Sequence, residues 1–234
     1  MSAAFEYVEI GVSDVGRSAR WYEDMLGLRP GADAIRLVAA GDGPSGWIDD
    51  NRQRGVRHIG FKVADVDAHA ERLDRAGVEF TIEPMDATGD VRISFFFDPD
   101  GTLLELVGGA VQYHRTWSPQ LAAVDAAGLP GPHDPPRFDH VAVTVGDLDA
   151  AMGFYRDRLG FEVVGQLFFE DEQEFVITYL QGGENVLELF SYGVPTLEPW
   201  RMGGDRLGVR ALGLAADPGI PARDPDGVRL AHAG

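Results

Sequence analysis

The sequence predicts an α+β fold of four tandem βαβββ modules, the last lacking most of its helix. Three observations carry this. Residues 138–163, FDHVAVTVGDLDAAMGFYRDRLGFEV, align without a gap on residues 5–30, FEYVEIGVSDVGRSARWYEDMLGLRP. The alignment sets Phe138 on Phe5, His140 on Tyr7, Asp147 on Asp14, Tyr155 on Tyr22 and Leu159-Gly160 on Leu26-Gly27. A repeat of this length describes an architecture. A second pair of units echoes in the same way: Val56-Arg57-His58-Ile59-Gly60 lies over Val209-Arg210-Ala211-Leu212-Gly213. The turn Asp98-Pro99-Asp100-Gly101 is also written again as Asp224-Pro225-Asp226-Gly227. The order is therefore A, B, A, B.

Each element has its local reason. In the first module a strand from Phe5 is followed by a helix ending at Gly27, a short strand over 34–39 and a Gly/Pro-rich turn around 41–46. The second opens with a strand over 56–63. Val66, Ala70 and Leu73 then recur at helical spacing over 65–76, and Gly77 supplies the stop. Strands follow in VEFTIE, VRISFFF and, past the Asp-Pro-Asp-Gly turn, TLLELV. Proline fixes one torsion of that turn and glycine permits the positive one. Phe95, Phe96 and Phe97 must divide between core and pocket. Residues 113–136 read as a linker carrying a short helix capped by Ser118-Pro119, which separates a domain of residues 1–112 from one of residues 137–234. In the third module His140, Ala142 and Thr144 share one strand face and Val141, Val143 and Val145 the other. Asp147 caps its helix, whose apolar positions are Leu148, Ala151, Met152, Tyr155 and Leu159. Strands are expected in EVVGQLFF, EFVITYL and NVLELF. The fourth module has hardly any room for a helix.

Composition removes several classes of function. With 234 residues, 44% of them hydrophobic, the chain can bury one large or two ordinary cores. No apolar run reaches membrane-spanning length, and the opening residues lack the pattern of a signal peptide, so a cytoplasmic protein is expected. The absence of cysteine excludes disulfides, thiolate metal sites and cysteine nucleophiles. A formal charge of −18 with no basic stripe argues against nucleic acid and acidic membranes as partners. The expected partner is a small-molecule substrate, and the chain is expected as a monomer or homodimer.

The Asp-Pro-Asp-Gly turn followed four residues later by Glu105, together with HVAVTVGDLDAAMGFYRDRLGF, resembles the vicinal oxygen chelate superfamily. That group includes glyoxalase I, fosfomycin-resistance enzymes, bleomycin-binding proteins, methylmalonyl-CoA epimerase and extradiol dioxygenases. The resemblance covers nearly all of the chain outside the linker. It implies two glyoxalase-like domains whose curved mixed sheets form cups, with metal ligands on the first and last strand of each module. Carried over residue by residue, these positions are Tyr7 and Arg36, His58 and Glu105, His140 and Glu188, and Ala211 and Ala231. The middle two modules thus hold two imidazoles and two carboxylates, and the outer two hold nothing that binds a metal well. Pairing module two with module three explains this distribution, because it makes one complete site and one vestigial cup.

Two histidines and two carboxylates suit one divalent ion (Zn, Ni, Co, Mn or Fe(II)) with positions left for a chelating substrate. The resemblance then implies a metal-dependent isomerase, lyase or epimerase that stabilises an enediolate, with Glu188 or Glu105 as ligand and possible base. An Fe(II) dioxygenase is the alternative, and a metal-free antibiotic-binding protein of the bleomycin-resistance type comes third. The remaining histidines carry blander expectations. His69 reads as a solvated helix residue, His133 as part of the linker and His232 as off the ligand parity, while His114 stays open. Tyr7, Glu9 and Arg36 are expected to share the outer cup through a structural salt bridge. The acidic run over 170–174 reads as a solvated hairpin.

Overall fold

The computed structural model describes residues 3–169, 173–199, 206–215 and 219–232. Module one comprises β1 (Ala4–Val12), α1 (Val15–Leu26) and β2 (Ile35–Ala39). Module two comprises β3 (Gly55–Val63), α2 (Val66–Arg75), β4 (Phe80–Ala87), β5 (Val91–Phe97) and β6 (Leu103–Gly108). The linker contains β7 (Arg115–Thr116) and α3 (Pro119–Ala127). Module three has β8 (Arg137–Thr144), α4 (Leu148–Met152), β9 (Glu162–Phe169), β10 (Phe175–Gly182) and β11 (Asn185–Ser191). Module four contributes β12 (Gly208–Ala215) and β13 (Leu230–His232). No helix among the described residues is long and apolar enough to cross a membrane.

Local chemistry sets the helix ends as expected. Asp14, Asp65, Asp147 and Ser118 sit in extended backbone and accept from the amide three residues on. Gly27 and Gly160 take the left-handed conformation (φ 67° and 77°) that closes the helices of modules one and three. The third-module helix departs from the expected regular α form. It continues as a π segment over Gly153–Arg158, with the Leu159 amide donating to the Phe154 carbonyl. The wider turn buries the neighbouring Phe154 and Tyr155 together.

Strands join the modules in a way that crosses the linker. One sheet runs β13-β12-β1-β2, from modules four and one, and the other runs β4-β5-β6-β3-β8-β11-β10-β9-β7, from modules two, three and the linker. Module two meets module three through antiparallel β3 and β8, and module one meets module four through antiparallel β1 and β12. The outer modules are leaner than the expected βαβββ pattern, each giving two strands to the sheets among the described residues. In module one the glycine- and proline-rich stretch over 41–46 forms a loop instead. The linker also differs from a plain extended connection, since β7 adds an edge strand beside β9.

The main apolar core runs between the sheets and helices, with Phe5, Val8 and Ile10 of β1, Ile59 and Phe61 of β3, Val141 and Val143 of β8, and Leu212 and Leu214 of β12, and a separate cluster forms around Val164, Leu167, Ile177 and Tyr179. Two buried tyrosines tie modules within each sequence half. Tyr22 of α1 donates to Asp98 (2.9 Å), and Tyr155 donates to Asp224 (2.7 Å), so each repeated helix fastens a repeated Asp-Pro-Asp-Gly turn. Burial pushes the Asp224 carboxyl up to about 6, against the Tyr155 hydroxyl and nearby amides that favour its charge. Because its unfolded value is lower, Asp224's contribution to stability is lost as the pH rises through about 6, and the Tyr155 hydroxyl offsets that loss. Tyr155→Phe is therefore expected to cost about 1–3 kcal/mol by urea denaturation, with a larger cost at pH 8 than at pH 5. Equal cost at the two pH values would refute this account.

Candidate functional site

Four successive strands of the larger sheet, β6-β3-β8-β11, bring Glu105, His58, His140 and Glu188 to one place. The registers have local two-fold symmetry. His58 faces Ala142 and Gly60 faces His140 across the antiparallel pair, while Gly60 faces Glu105 and Ala142 faces Glu188 across the parallel ones. Gly60 is needed for the close approach: a Cβ there would lie 2.0 Å from Cε1 of His140.

The donor atoms converge. Glu105 Oε2 lies 3.1 Å from His58 Nε2 and 2.9 Å from His140 Nε2, and the two Nε2 atoms are 3.2 Å apart. Glu188 Oε2 stands further off, 3.6 Å from His140 Nε2 and 4.0 Å from His58 Nε2. All four side chains are buried. Neighbouring ligands on an ion with bonds of about 2.1 Å are about 3 Å apart, so the compact trio fits a divalent ion without rearrangement. The tautomer fits as well. His140 Nδ1 bonds Asp139 Oδ2 (3.0 Å), which leaves Nε2 directed at the centre. Asp139 lies in turn 3.7 Å from Lys62 Nζ and 3.7 Å from Arg137. Sequence reasoning passed over Asp139 and placed Lys62 on the strand face of His58 without giving it a role. Lys62 shares the parity of His58 along its strand, whereas Asp139 has the opposite parity from His140 and gave no such signal.

Electrostatics divide the pair of carboxylates. Burial works to raise Glu105, but hydrogen bonds from His140 and His58 outweigh it and hold the carboxyl well below its usual range. Burial together with the Glu105 and Asp139 charges raises Glu188, despite the opposing pull of His140. Burial depresses His58. It opposes charge on His140 too, yet Glu188, Asp139 and Glu105 overcome it and raise that imidazole well above the ordinary value.

The centre opens into a cavity of ≈ 640 Å³. Phe95 and Phe97 line it while Phe96 is in the core, which resolves the division of the three phenylalanines. Phe169, Phe175 and Phe190 line it as well. Tyr113 and Leu121 bring the linker into the lining, so the connection is part of the site's enclosure. His114 accepts from the Phe168 amide (3.0 Å) and serves the strand edge; His69 bonds its own helix start through Asp65. His133 and His232 are exposed.

The smaller sheet repeats the registers with different chemistry. Tyr7 faces Gly213, Glu9 faces Ala211 and Arg36, and Ala231 faces Gly213. A Cβ on Gly213 would fall 2.1 Å from the Tyr7 ring, so Gly213 admits Tyr7 as Gly60 admits His140. The expected salt bridge among Tyr7, Glu9 and Arg36 is not formed. The Arg36 guanidinium covers the Tyr7 ring at 3.5 Å, and Glu9 pairs instead with Arg229 (3.4 Å). Of the acidic run, residues 170–172 lie outside the described residues.

The family profile described as "Glyoxalase/Bleomycin resistance protein/Dioxygenase superfamily" matches residues 4–106 and 137–214. The anthracycline biosynthesis protein DauV of Streptomyces sp. (strain C5) is 28% identical over 177 residues, covering 66% of this chain and 59% of that protein. The uncharacterized protein YaeR of Escherichia coli (strain K12) is 40% identical over 52 residues, covering 22% of this chain and 40% of that protein. The chain thus spans less than two thirds of the length of either curated relative. Glyoxalase I from Zea mays superposes with a TM-score of 0.68 at 19% identity, covering 99% of this chain and 92% of that one. A putative dioxygenase from Bacillus subtilis gives 0.60 at 19% identity, covering 92% and 71%. At these identities the likeness is one of fold.

Proposed function

This chain belongs to the Glyoxalase/Bleomycin resistance protein/Dioxygenase superfamily, and from that premise we propose that it is a metal-dependent enzyme of the isomerase, lyase or epimerase type acting on a substrate with vicinal oxygens. The observation that carries this reading is the convergence of His58, Glu105, His140 and Glu188 in the wall of one large cavity. His58, His140 and Glu105 would hold the ion, and Asp139 keeps His140 in the tautomer that leaves Nε2 free to ligate. When bound there, a divalent ion would supply positive charge to polarise two adjacent oxygens and stabilise the charge left when a proton is removed beside them. Glu188 stands further from the trio and has a raised pKa, so it takes that proton and returns it. The aromatic walls shut out water and seat the apolar body of the substrate.

A second reading rests on the compactness of the trio. Two histidines and one carboxylate, with Glu188 set apart, are also the ligand set of an Fe(II) dioxygenase. The identity of the metal separates the two readings.

The test is metal content by mass spectrometry on protein purified without an affinity tag, as isolated and after reconstitution, alongside His58→Ala and His140→Ala. About one ion per chain is expected, with affinity falling by about 100-fold or more in both variants, beyond what outer-shell changes produce. Binding should be tighter at pH 8 than at pH 6, because the protons that His140 and Glu188 retain in the metal-free site must leave. Iron alone in the native protein would favour the dioxygenase. No metal even after reconstitution would overturn the enzyme reading in favour of a binding protein.

A further inference from the structure

The β3–β8 register skips between Val56 and His58, so Arg57 is an extra residue without a partner on β8. Such a bulge re-aims side chains. Arg57 and His58 consequently both line the cavity, although they are adjacent in a strand. Arg57 is 5% exposed. Its Nη2 donates to the Ile48 carbonyl (2.9 Å) and to Asn51 Oδ1 (3.4 Å), and its guanidinium lies 5.7 Å from the Trp47 ring centre. Nε is buried without any partner. Among the described residues no carboxylate stands within ion-pair distance of it. Asp50 is taken by Arg52 (3.2 Å), and Asp49 shares the cavity wall without pairing to Arg57.

A buried cation held by neutral groups alone is poorly compensated, and an anion brought by a ligand would complete it. We infer that the Arg57 end of the cavity is an anion subsite, and that the ligand is a largely apolar, aromatic molecule carrying a carboxylate, sulfonate or ionised phenol at that end. The inference rests on the reading of this cavity as the substrate site, and it adds the chemical class of the substrate. Phe95 and Phe190, which pack their rings against His58, supply the apolar surface beside the subsite. The chain's charge of −18 repels anions at long range, so a preference for an anion must come from a local contact.

The test compares two fluorescent probes with one skeleton, 1-anilinonaphthalene-8-sulfonate and the neutral N-phenyl-1-naphthylamine, titrated into the full chain. One competing site is expected for both, with the sulfonate bound about tenfold more tightly or better. Arg57→Met should erase that gap by weakening the sulfonate alone, and Arg57→Lys should keep part of it. Equal affinities in the native protein would overturn the inference. So would an equal loss for both probes in Arg57→Met, since Arg57 would then only pack the wall. Metal content measured on the same samples separates the two readings. Metal uptake without a charge preference removes the anion subsite, and an Arg57-dependent preference without metal removes the metal-dependent reaction and leaves the subsite standing.

Discussion

Gly60→Ala is expected to abolish metal binding and to lower stability at the same time. The added methyl would meet His140 at Cε1 (2.0 Å) and at both ring nitrogens (2.4 Å). No small adjustment relieves this, because the contact is with a ring buried between β3 and Asp139. Either the imidazole leaves the centre or the two strands separate. Overpacking of this kind costs about 1–3 kcal/mol, and loss of one imidazole removes a ligand from the centre. Gly213→Ala is the matched control, since its methyl would meet the Tyr7 ring at 2.1 Å. It should destabilise to a similar extent and leave metal content intact in the folded fraction. Thermal denaturation and metal analysis on both variants check this, and a Gly60→Ala protein that keeps its full metal complement would contradict the geometry.

Separate expression of residues 1–112 and 134–234 is expected to yield two fragments that neither fold stably nor bind metal. Each keeps two of the four converging side chains. Each also loses strand partners in both sheets: β3 is stripped of β8, and β1 of β12. Exposed edges of this length favour aggregation. Mixing or co-expressing the fragments should restore the centre, because the missing connection carries none of the four side chains. Circular dichroism and metal analysis of each fragment and of the pair provide the check. A lone fragment holding stoichiometric metal would show that the shared centre is wrong.

Much of this was legible in the sequence because it is local. Asp14, Asp65 and Asp147 announce helix starts, Gly27 and Gly160 announce stops, and the gapless repeat orders the modules. The joining of modules two and three could also be inferred, since the outer modules offer only Tyr7, Arg36, Ala211 and Ala231 where ligands would stand. The bulge at Arg57 was not legible. It is a mismatch between two strands distant in sequence, and parity counting along β3 alone places Arg57 on the wrong face. The π segment at Gly153 was hidden for a related reason, since Tyr155 and Leu159 keep helical spacing in either form. Asp139 needed the rotamer of His140 to be known before it could be assigned as a partner.

The four modules close on one another: the tyrosine contacts join one to two and three to four, and the sheets join two to three and four to one. This closure sets a schedule for the ribosome. β1 leaves the exit tunnel first, but its antiparallel partner β12 follows about two hundred residues later, some ten to forty seconds at ordinary elongation rates. β3 waits for β8 over a shorter interval, about eighty residues. β2 and β6 cover one edge of β1 and β3 early, but the other edge of β1 stays open until β12 emerges, so the smaller sheet is completed only with module four. Holdase chaperones that shield strand edges should raise its soluble yield, whereas slower translation should give no comparable benefit.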